Sequence, residues 1–427
     1  MAGALVVAVA FTGLDELLTI IAVLLQALFF VYFIRHLAFA ITTMRSGVRD
    51  LDTPILSTGF GPLVSVLVAC KNEESVVDNL VASLVALDYP PDLLEIIIVD
   101  DGSVDRTGER LDALAARVAR VRVVHRPEGA GGAKSAALND GVRIANGEIV
   151  VVFDADHQPH RDVIRRLVRH FEDPTVGAVQ GRCVINNPQD SPLTRLVAID
   201  YLAGYLVNEY GRQWLFELPA YGGANCAVRT SSLREAGGWN VRTVTEDTDL
   251  TLRLILAGQR VRYDVSAVDA EEGVVTLTRY WRQRYRWARG HQQVWRDYRH
   301  AVWASPRLSL TDKVETSMFL FGFHLPVASA LGMVILGIWG SGLARPADPL
   351  NTFILWTLLF LGPLLELAAG LLAAKSDRRE AIALAFFLPL FFVSVALCTK
   401  AWFDGIVGRP YTWVKTQRAA DTVLEFP

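Results

Sequence analysis

Two aspartates one residue apart, Asp154 and Asp156, follow an apolar run that is typical of a buried strand. Like charges at such a place are costly unless a positive group lies between them. A divalent cation held by carboxylates and by the phosphates of a substrate meets that requirement. The alternative is an exposed acidic turn. Asp100 and Asp101 follow a second apolar run, although the Asp-Gly-Ser sequence that starts at Asp101 is also a common turn.

A third acidic group lies at residues 245–247, Thr-Glu-Asp, directly before an apolar-faced helical segment. One interpretation is that a carboxylate here is a general base, which removes a proton from an attacking hydroxyl. The alternative is local. Thr245 would cap the helix, and Glu246 or Asp247 would complement the positive end of its dipole.

An aromatic and basic segment follows at residues 280–295, and it contains Gln283, Arg286 and Trp287. Such a mixture occurs in proteins that bind single-stranded nucleic acid and in segments at a membrane interface. It also suits a sugar that stacks on an indole beside a phosphate held by arginine. The sequence leaves the interfacial helix and the sugar site open as alternatives.

These groups need a scaffold, and residues 45–314 supply short β-rich runs that alternate with amphipathic segments. This spacing predicts an α/β fold with a mostly parallel sheet covered by helices. Such sheets bind ligands beyond the carboxyl ends of their strands, where the acidic groups fall. The Gly-rich residues 129–133 fit neither a Walker A loop nor a Rossmann fingerprint. The predicted strands are residues 63–69, 94–99, 121–124, 148–153 and 176–179.

The rest of the 427-residue chain is apolar enough to lie in lipid. Hydrophobic residues make up 52% and charged residues only 20%, with a mean hydropathy of +0.29, whereas a soluble domain carries about 25% charge. The uncharged residues 17–34 are long enough to cross about 30 Å of hydrocarbon as a helix. A signal peptide is the alternative, but Asp15 and Glu16 before the run disfavour it. Three further apolar blocks cover residues 316–344, 350–374 and 382–397.

Charges beside these blocks indicate which side of the membrane each connection faces. Arg45 and Arg49 after the first block, and the basic loop at residues 375–380, predict a cytoplasmic central region. Three complete C-terminal spans would put the basic tail outside, so one block either lies along the interface or re-enters. Glu366, inside the second C-terminal block, is either a functional polar group or a residue near the headgroups.

Charge and cysteine content argue against several other kinds of protein. The formal net charge of −3 disfavours a general nucleic-acid binder. The four cysteines lie far apart and form no C-x-x-C pair, so we predict neither a structural zinc site nor a disulfide framework.

Taken in order, the motifs resemble those of the membrane-bound family 2 glycosyltransferases. Besides the acidic pairs, the resemblance rests on Lys-Ser-Ala-Ala-Leu-Asn at 134–139, Thr-Glu-Asp at 245–247 and Gln-Arg-Tyr-Arg-Trp at 283–287. It is greatest for the branch that contains cellulose, chitin, hyaluronan and poly-N-acetylglucosamine synthases, and it covers residues 62–293 and the flanking helices. The resemblance implies a glycosyltransferase A-type fold with flanking transmembrane and interfacial helices. It also implies a nucleotide-sugar donor, usually UDP-linked, Mg²⁺ or Mn²⁺, and inversion of the anomeric centre.

Roles carry over only where this sequence matches a family motif. The resemblance implies that Asp247 is the catalytic base and that Asp156, with Asp154 beside it, binds the metal ion. The residues matched to nucleotide-sugar binding are Asp100, Asp101, Lys134, Asp154, Gln180, Arg182, Gln283 and Arg286. Those matched to acceptor binding are Gly223, Asn225, Glu246 and Trp287. The tail residues that resemble a loop folded over the nucleotide in some members are Trp413, Lys415, Thr416 and Arg418.

The main expectation is a processive synthase that extends a β-linked polysaccharide from a UDP-sugar and passes the chain through the membrane. The alternative is a single transfer to a lipid acceptor, because some lipid glucosyltransferases share a close variant of the same motif. About four spans would form only a narrow channel or would need an accessory subunit. A non-catalytic nucleotide-sugar sensor or a transporter is disfavoured, since the central region keeps a full set of candidate catalytic groups.

We expect a multi-pass protein of the cell (plasma or inner) membrane with a cytoplasmic catalytic domain. Its expected partners are the donor, the acceptor and membrane lipids, without nucleic acid. The predicted division is a transmembrane helix at 1–44, the glycosyltransferase domain at 45–300, interfacial and transmembrane helices at 301–408, and a basic tail at 409–427.

Overall fold

The computed structural model describes residues 2–48, 60–346, 349–376 and 382–409, with side chains from Gly13 onward. A short π-helical segment, Gly204–Glu209, joins two of the helices. The α-helices, numbered in chain order, are α1 (Ala2–Ser46), α2 (Val77–Val85), α3 (Thr107–Ala115), α4 (Ala133–Ile144), α5 (Val163–Val168), α6 (Pro192–Ala203), α7 (Tyr210–Phe216), α8 (Thr230–Glu235), α9 (Glu246–Leu256), α10 (Leu277–Ala304), α11 (Leu310–Phe321), α12 (Leu325–Gly340), α13 (Pro349–Ala373) and α14 (Phe387–Ile406).

Eight strands in the described ranges form one mixed sheet in the order β3-β2-β1-β4-β7-β6-β8-β5. The pairs β3–β2, β2–β1, β1–β4 and β6–β8 are parallel, and the pairs β4–β7, β7–β6 and β8–β5 are antiparallel. The strands are β1 (Val64–Cys70), β2 (Leu94–Asp100), β3 (Val121–His125), β4 (Ile149–Asp154), β5 (Gln158–Pro159), β6 (Val176–Ile185), β7 (Cys226–Arg229) and β8 (Arg260–Glu271).

The α/β prediction is confirmed, but the sheet is less parallel than expected. All five predicted strands are present, whereas β5, β7 and β8 were not predicted. β7 has four residues, too few for a hydrophobic run to identify it. β8 alternates exposed or half-buried Arg260 and Arg262 with buried Val261 and Tyr263. The antiparallel β7 joins the two parallel groups and brings the end of β6 beside the end of β4.

The central strands are buried on both faces because helices cover both sides of the sheet. In β1, Val66 and Val68 pack with α2 and α5 on one side, while Leu67 packs with α4 on the other. Side chains along a strand alternate between its faces, so a continuous apolar run fills two cores at once. The run therefore fixes β1 in the middle of the sheet, with its polar residues beyond its carboxyl end.

Four helical stretches are long and apolar enough to cross a membrane, by length and composition, in the part of the chain that the structure describes. They are Gly13–Ser46, Leu310–Gly340, Pro349–Ala373 and Leu384–Ile406. The first continues past the predicted run, through Arg35 and His36. Arg35 makes a two-point ion pair with Glu315 of α11 at 2.6 and 2.9 Å, and Arg212 of α7 donates to the same carboxylate at 3.1 Å. These contacts join the apolar helices to the α/β unit.

Both ends of α14 contact elements of the α/β unit. At its start, Phe387 and Leu390 pack near Ile199 of α6. At its end, the Tyr285 hydroxyl of α10 donates to Asp404 at 2.6 Å. A helix that crossed to the other side of the membrane would carry one of these ends away from the unit.

Candidate active site

A cavity of about 680 Å³ opens where the predicted chemistry-bearing residues meet, at the carboxyl ends of β1 and β4. This volume lies within the usual range of small-molecule sites. Eleven of the residues matched to family motifs line it, although they come from segments far apart in the sequence. They are Asp101, Lys134, Asp154, Asp156, Gln180, Gly223, Glu246, Asp247, Gln283, Arg286 and Trp287.

Asp154 and Asp156 lie on the cavity wall at the end of β4. Lys134 of α4 makes an ion pair with Asp154 at 2.5 Å, and it also donates to the Gly223 carbonyl at 2.9 Å. Desolvation opposes the charged form of both groups, but their mutual attraction outweighs it, so the pKa of Lys134 is raised and that of Asp154 is lowered. The Asp154 side chain is still 39% exposed. Two hard oxygen donors on an open wall fit the ligand preference of Mg²⁺ or Mn²⁺.

Glu246 and Asp247 begin α9 and face the same cavity. Burial, and then the charge of Asp247, raises the pKa of Glu246 to about 7. Burial also raises the pKa of Asp247, although its carboxylate accepts from the Thr248 amide at 2.6 Å. A raised carboxyl pKa brings a group closer to the value suited to a general base at neutral pH. Gly223 lies so close that a Cβ there would be 2.9 Å from Asp247 Oδ2.

The capping alternative for Thr245 is not what the structure shows. Thr245 is the residue before α9, but its side chain makes no capping hydrogen bond. It packs instead against Gly290 of α10, where an added Cβ would be 2.3 Å from Thr245 Cγ2. This close approach holds the start of α9 against α10, and so holds Asp247 opposite the α10 residues.

Helix α10 presents Gln283, Arg286 and Trp287 to the cavity. Arg284 lies over the Trp287 ring at 4.3 Å and pairs with Asp200 at 2.6 Å. Gln283 Oε1 is buried without a hydrogen-bond partner among the described residues. An unpaired buried polar atom costs about 1–3 kcal/mol, so a ligand that supplied the missing donor would remove that cost.

Gln180 acts on the loop at residues 222–225. Its side-chain oxygen accepts from the Gly222 amide at 2.6 Å, and its amide nitrogen donates to the Ala224 carbonyl at 3.0 Å. These bonds tie the end of β6 to the loop that carries Gly223 beside Asp247. Gln180 therefore holds the loop in addition to lining the cavity.

Three matched residues do not line the cavity. Asp100 accepts from the Ser103 amide at 3.0 Å and contacts His125, as expected for the loop-cap alternative. Asn225 is fully buried and donates to the carbonyls of Arg182 and Ala267 at 3.0 and 2.9 Å. Arg182 itself is half-buried beside the cavity-lining Gln180 and Cys183. The four predicted loop residues of the tail, from Trp413 to Arg418, lie outside the described residues.

Two groups of functional candidates escaped the sequence analysis. Arg126 pairs with the carboxylates of Asp101 and Asp140, which fixes Asp101. His157, directly after Asp156, bonds to Asp269 and lies 3.0 Å from a carboxylate oxygen of Glu271. In the sequence, His157 is marked as a candidate only by its position directly after Asp156.

Cys183 comes near His157 and Asp269, all three buried, with potential ligand atoms within 4.8 Å of one another. The direct bond between His157 and Asp269 already accounts for that pair as a hydrogen-bonded His–carboxylate unit. All four cysteines of the sequence are buried and free.

The cavity also reaches the apolar helices. Its wall there includes Phe319 and Phe323 of the Leu310–Gly340 stretch, Pro363 and Glu366 of α13, and Phe387 of α14. The site and these apolar helices are thus parts of one surface.

Comparison with known proteins shows the family of the chain. Residues 65–237 match the family described as glycosyl transferase family 2. The chain is 38% identical over 296 residues to beta-monoglucosyldiacylglycerol synthase of Synechocystis sp.. This match covers 67% of this chain and 61% of that protein. The chain thus spans about three fifths of the length of that relative. It is 31% identical to the probable glycosyltransferase YdaM of Bacillus subtilis, over 84% of this chain and 87% of that one.

Among solved structures, a mannosyltransferase from Pyrobaculum calidifontis, in complex with GDP-Man and Mn²⁺, has a TM-score of 0.66 at 23% identity. The match covers 92% of this chain and all of that one. This likeness shows the fold, a glycosyltransferase A-like α/β domain with flanking apolar helices. The chain belongs to glycosyl transferase family 2, and it is a glycosyltransferase.

Proposed function

We propose that the protein moves one sugar from a nucleotide sugar to the hydroxyl of a lipid acceptor. The observation that carries this proposal is the extent of the cavity. It runs from the carboxylates of the α/β unit to those halves of the apolar helices that lie nearest to that unit. A lipid hydroxyl can enter from the membrane end while the donor occupies the strand end. The expectation of processive polysaccharide synthesis gives way to this alternative.

The depth of the cavity supports single transfer over export of a polymer. The lining residues that lie furthest from the α/β unit are Phe323 on the Leu310–Gly340 stretch and Pro363 on α13. At 1.5 Å per residue, the far end of the first stretch, Gly340, is about 25 Å beyond Phe323. The far end of α13, Pro349, is about 21 Å beyond Pro363. Neither α1 nor α12 contributes to the described wall. A conduit for a growing chain would need lining residues along the full length of the helices.

The relatives support the same proposal. The Synechocystis protein is named for the synthesis of a monoglucosyl lipid, a product with one sugar. Its similarity extends over 67% of this chain.

In the proposed reaction, the acceptor oxygen attacks the anomeric carbon from the face opposite the diphosphate. The new carbon–oxygen bond forms as the bond to the diphosphate breaks, so the configuration inverts. Asp247 receives the hydroxyl proton. Negative charge grows on the departing diphosphate, and two of the cations on the wall, Lys134 and Arg286, stabilise it. A single displacement needs only one carboxylate as base.

We propose that Asp154 and Asp156 hold Mg²⁺ or Mn²⁺. The ion would supply positive charge next to the diphosphate oxygens. The donor is proposed to be UDP-linked, with Asp101 near its base and ribose. The solved structure of the mannosyltransferase contains GDP-Man, so a GDP-linked donor is tested beside the UDP-linked ones.

We propose a membrane arrangement in which α1, the Leu310–Gly340 stretch and α13 cross, and α14 lies along the interface. Both ends of α14 contact the α/β unit, which supports this arrangement. Three crossings put the α/β unit and the basic tail on the same side, and the positive loops make that side cytoplasmic. We propose that the chain divides into regions 1–44, 45–300, 301–408 and 409–427. Helix α1 runs past the first of these boundaries and α10 past the second.

The test uses membranes that contain the full chain and a panel of radiolabelled donors: UDP-glucose, UDP-N-acetylglucosamine, UDP-galactose and GDP-mannose. Products are separated into a lipid extract and a gel-retained polymer. The proposal expects label from one donor in the lipid extract, dependent on Mg²⁺ or Mn²⁺. Label mainly in a polymer would contradict it.

A further inference from the structure

The membrane end of the cavity carries polar side chains that the proposed transfer chemistry does not use. Asn208 and Glu209 come from the π-helical segment, His291 from α10 and Glu366 from α13. We name these four residues the membrane-side subsite. All four line the same cavity as Asp247, together with Phe319 and Phe323.

His291 is the member that most directly calls for a ligand. Its ring stacks on Phe323 at 4.3 Å and meets Phe319 edge-on at 6.1 Å. Its Nδ1 atom is buried and has no hydrogen-bond partner in the ranges that the structure describes. Burial lowers the pKa of His291 to about 4, so the imidazole is neutral at physiological pH. A neutral imidazole has one donor and one acceptor nitrogen, which suits a hydroxyl.

The two carboxylates of the subsite are held in place from behind. Glu366 contacts Nδ1 of His36 on α1. Glu209 lies 3.6 Å from Arg212 and accepts from the Ala220 amide at 2.7 Å. Asn208 receives a long bond of 3.4 Å from Arg35. These partners fix the side chains, and the three cationic or imidazole partners, His36, Arg35 and Arg212, do not themselves line the cavity.

The charge of this wall selects the kind of headgroup that it can bind. Its carboxylates face the cavity, whereas Arg35 and Arg212 behind them are both engaged by Glu315. In the described wall, neither the apolar helices nor the π-helical segment contributes a lysine or arginine. The arginines that α10 contributes are Arg279, Arg284 and Arg286, which precede His291 along the helix, and Arg284 is paired with Asp200. Carboxylates accept hydrogen bonds from hydroxyls but repel a phosphate, and the repulsion is strong where water is scarce.

We propose that the membrane-side subsite binds the uncharged, hydroxyl-bearing headgroup of the lipid acceptor, with His291 and Glu366 as its hydrogen-bonding groups. This inference rests on the proposed transfer to a lipid and adds the chemical class of the headgroup. It excludes acceptors with a phosphate next to the reacting hydroxyl. The phenylalanines on the same wall leave an apolar lining for the first part of the acyl chains.

The test places the purified full chain in phosphatidylcholine vesicles with the labelled donor that serves it in membranes. One set of vesicles contains diacylglycerol and a second contains phosphatidylglycerol with the same acyl chains. Both lipids offer a free hydroxyl, but only the second carries a phosphate. We expect label in diacylglycerol at least tenfold above label in phosphatidylglycerol.

Two variants test the subsite itself. His291→Phe keeps the stack on Phe323 and removes both ring nitrogens, and we expect the apparent KM for diacylglycerol to rise about tenfold. His291→Gln restores polar atoms, so its apparent KM for diacylglycerol should rise less than that of His291→Phe. Glu366→Gln removes the charge and should narrow the preference for diacylglycerol over phosphatidylglycerol. Thr357→Val is the matched control, because Thr357 lies on α13 with Glu366 but does not line the cavity.

Nucleotide binding by calorimetry shows that each variant is folded, since the donor end of the cavity is not changed. Equal labelling of both lipids, or an unchanged KM in both His291→Phe and Glu366→Gln, would overturn the inference while leaving transfer to a lipid intact. Label in neither lipid would also overturn the inference, whereas the proposed function is overturned separately, by the absence of label from the lipid extract of membranes.

Discussion

Replacing Asp247 with asparagine isolates proton removal from every other task of the site. Asp247 Oδ1 accepts from the Thr248 amide at 2.6 Å and from its hydroxyl at 3.2 Å. An asparagine keeps an acceptor oxygen at that position and nearly the same volume, so the start of α9 should be unchanged. What it loses is the ability to take the proton of the acceptor hydroxyl.

A positioned general base contributes about 10²–10⁴-fold to a rate, which corresponds to roughly 3–5 kcal/mol of barrier. We therefore expect Asp247→Asn to lower kcat by that factor, with little change in the Kd for the nucleotide. The assay pairs release of the nucleoside diphosphate with calorimetric titration of the nucleotide. Asp297→Asn, an exposed carboxylate on α10 that does not line the cavity, is the matched control.

The neighbouring Glu246 provides the sharpest way to refute this assignment. Its pKa of about 7 is itself suited to a base, and it lines the same cavity. If Asp247→Asn turned over near the wild-type rate while Glu246→Gln did not, Glu246 would be the base. Loss of nucleotide binding in Asp247→Asn would equally contradict the reasoning, because it would mean that the substitution disrupts the site.

Four further predictions follow from the site and the membrane helices. Lys134→Met should raise the donor KM by about 10- to 100-fold, because a charge-assisted contact at the phosphates is worth roughly 1.5–3 kcal/mol; an unchanged donor KM would exclude that contact. Transfer should increase with pH over a range above that of an ordinary aspartate, since burial raises the pKa of Asp247 and a protonated carboxyl cannot accept a proton; Glu246→Gln should move this rise to lower pH by removing a neighbouring charge, and a pH profile of kcat/KM measures both. A chelator should abolish transfer and Mn²⁺ or Mg²⁺ should restore it, and Asp156→Asn should need more metal ion for half-maximal rate; full activity in chelator would contradict the metal proposal. A fluorescent protein fused after Pro427 should fluoresce in the bacterial cytoplasm, because three crossings leave the tail on the side of the α/β unit; a dark fusion that is protected from cytoplasmic protease would place the tail outside.

The sequence predicted the parts of the fold that depend on local pattern. Apolar runs with polar ends identified β1, β2 and β4, and these strands bring Asp101, Asp154 and Asp156 to one edge. A long buried run has few alternatives in an α/β domain, so its position and the location of its end follow together. The uncharged stretches likewise predicted the four apolar helices.

Features that depend on contacts between distant segments were not predictable in this way. Glu366 appeared as an isolated acid in an apolar block, and only the fold shows that His36, 330 residues away, is its partner. Thr245 looked like a helix cap because the pattern of its neighbours is the same whether or not it caps. The close approach of Gly290, which decides the matter, leaves no trace in the local sequence.

The motif residues also differ in how far spacing determined their position. Asp247 and Trp287 line the cavity because Asp247 lies in the first turn of α9 and Trp287 lies on α10, and both helices border the cavity. Asp100 and Asn225 lie next to cavity residues in the sequence, but their side chains stabilise the loops behind the wall. A motif fixes a segment at the site, whereas the backbone conformation decides which of its side chains face the ligand.

The mass of the product tests the central claim most directly. Purified protein in vesicles with a defined lipid acceptor and an excess of the nucleotide sugar is allowed to run to completion, and the lipid extract is analysed by mass spectrometry. Transfer of a single sugar predicts one new species, heavier than the acceptor by one glycosyl residue, and no ladder above it. A series of products that grows by one sugar at a time, or a polymer without lipid, would contradict the account.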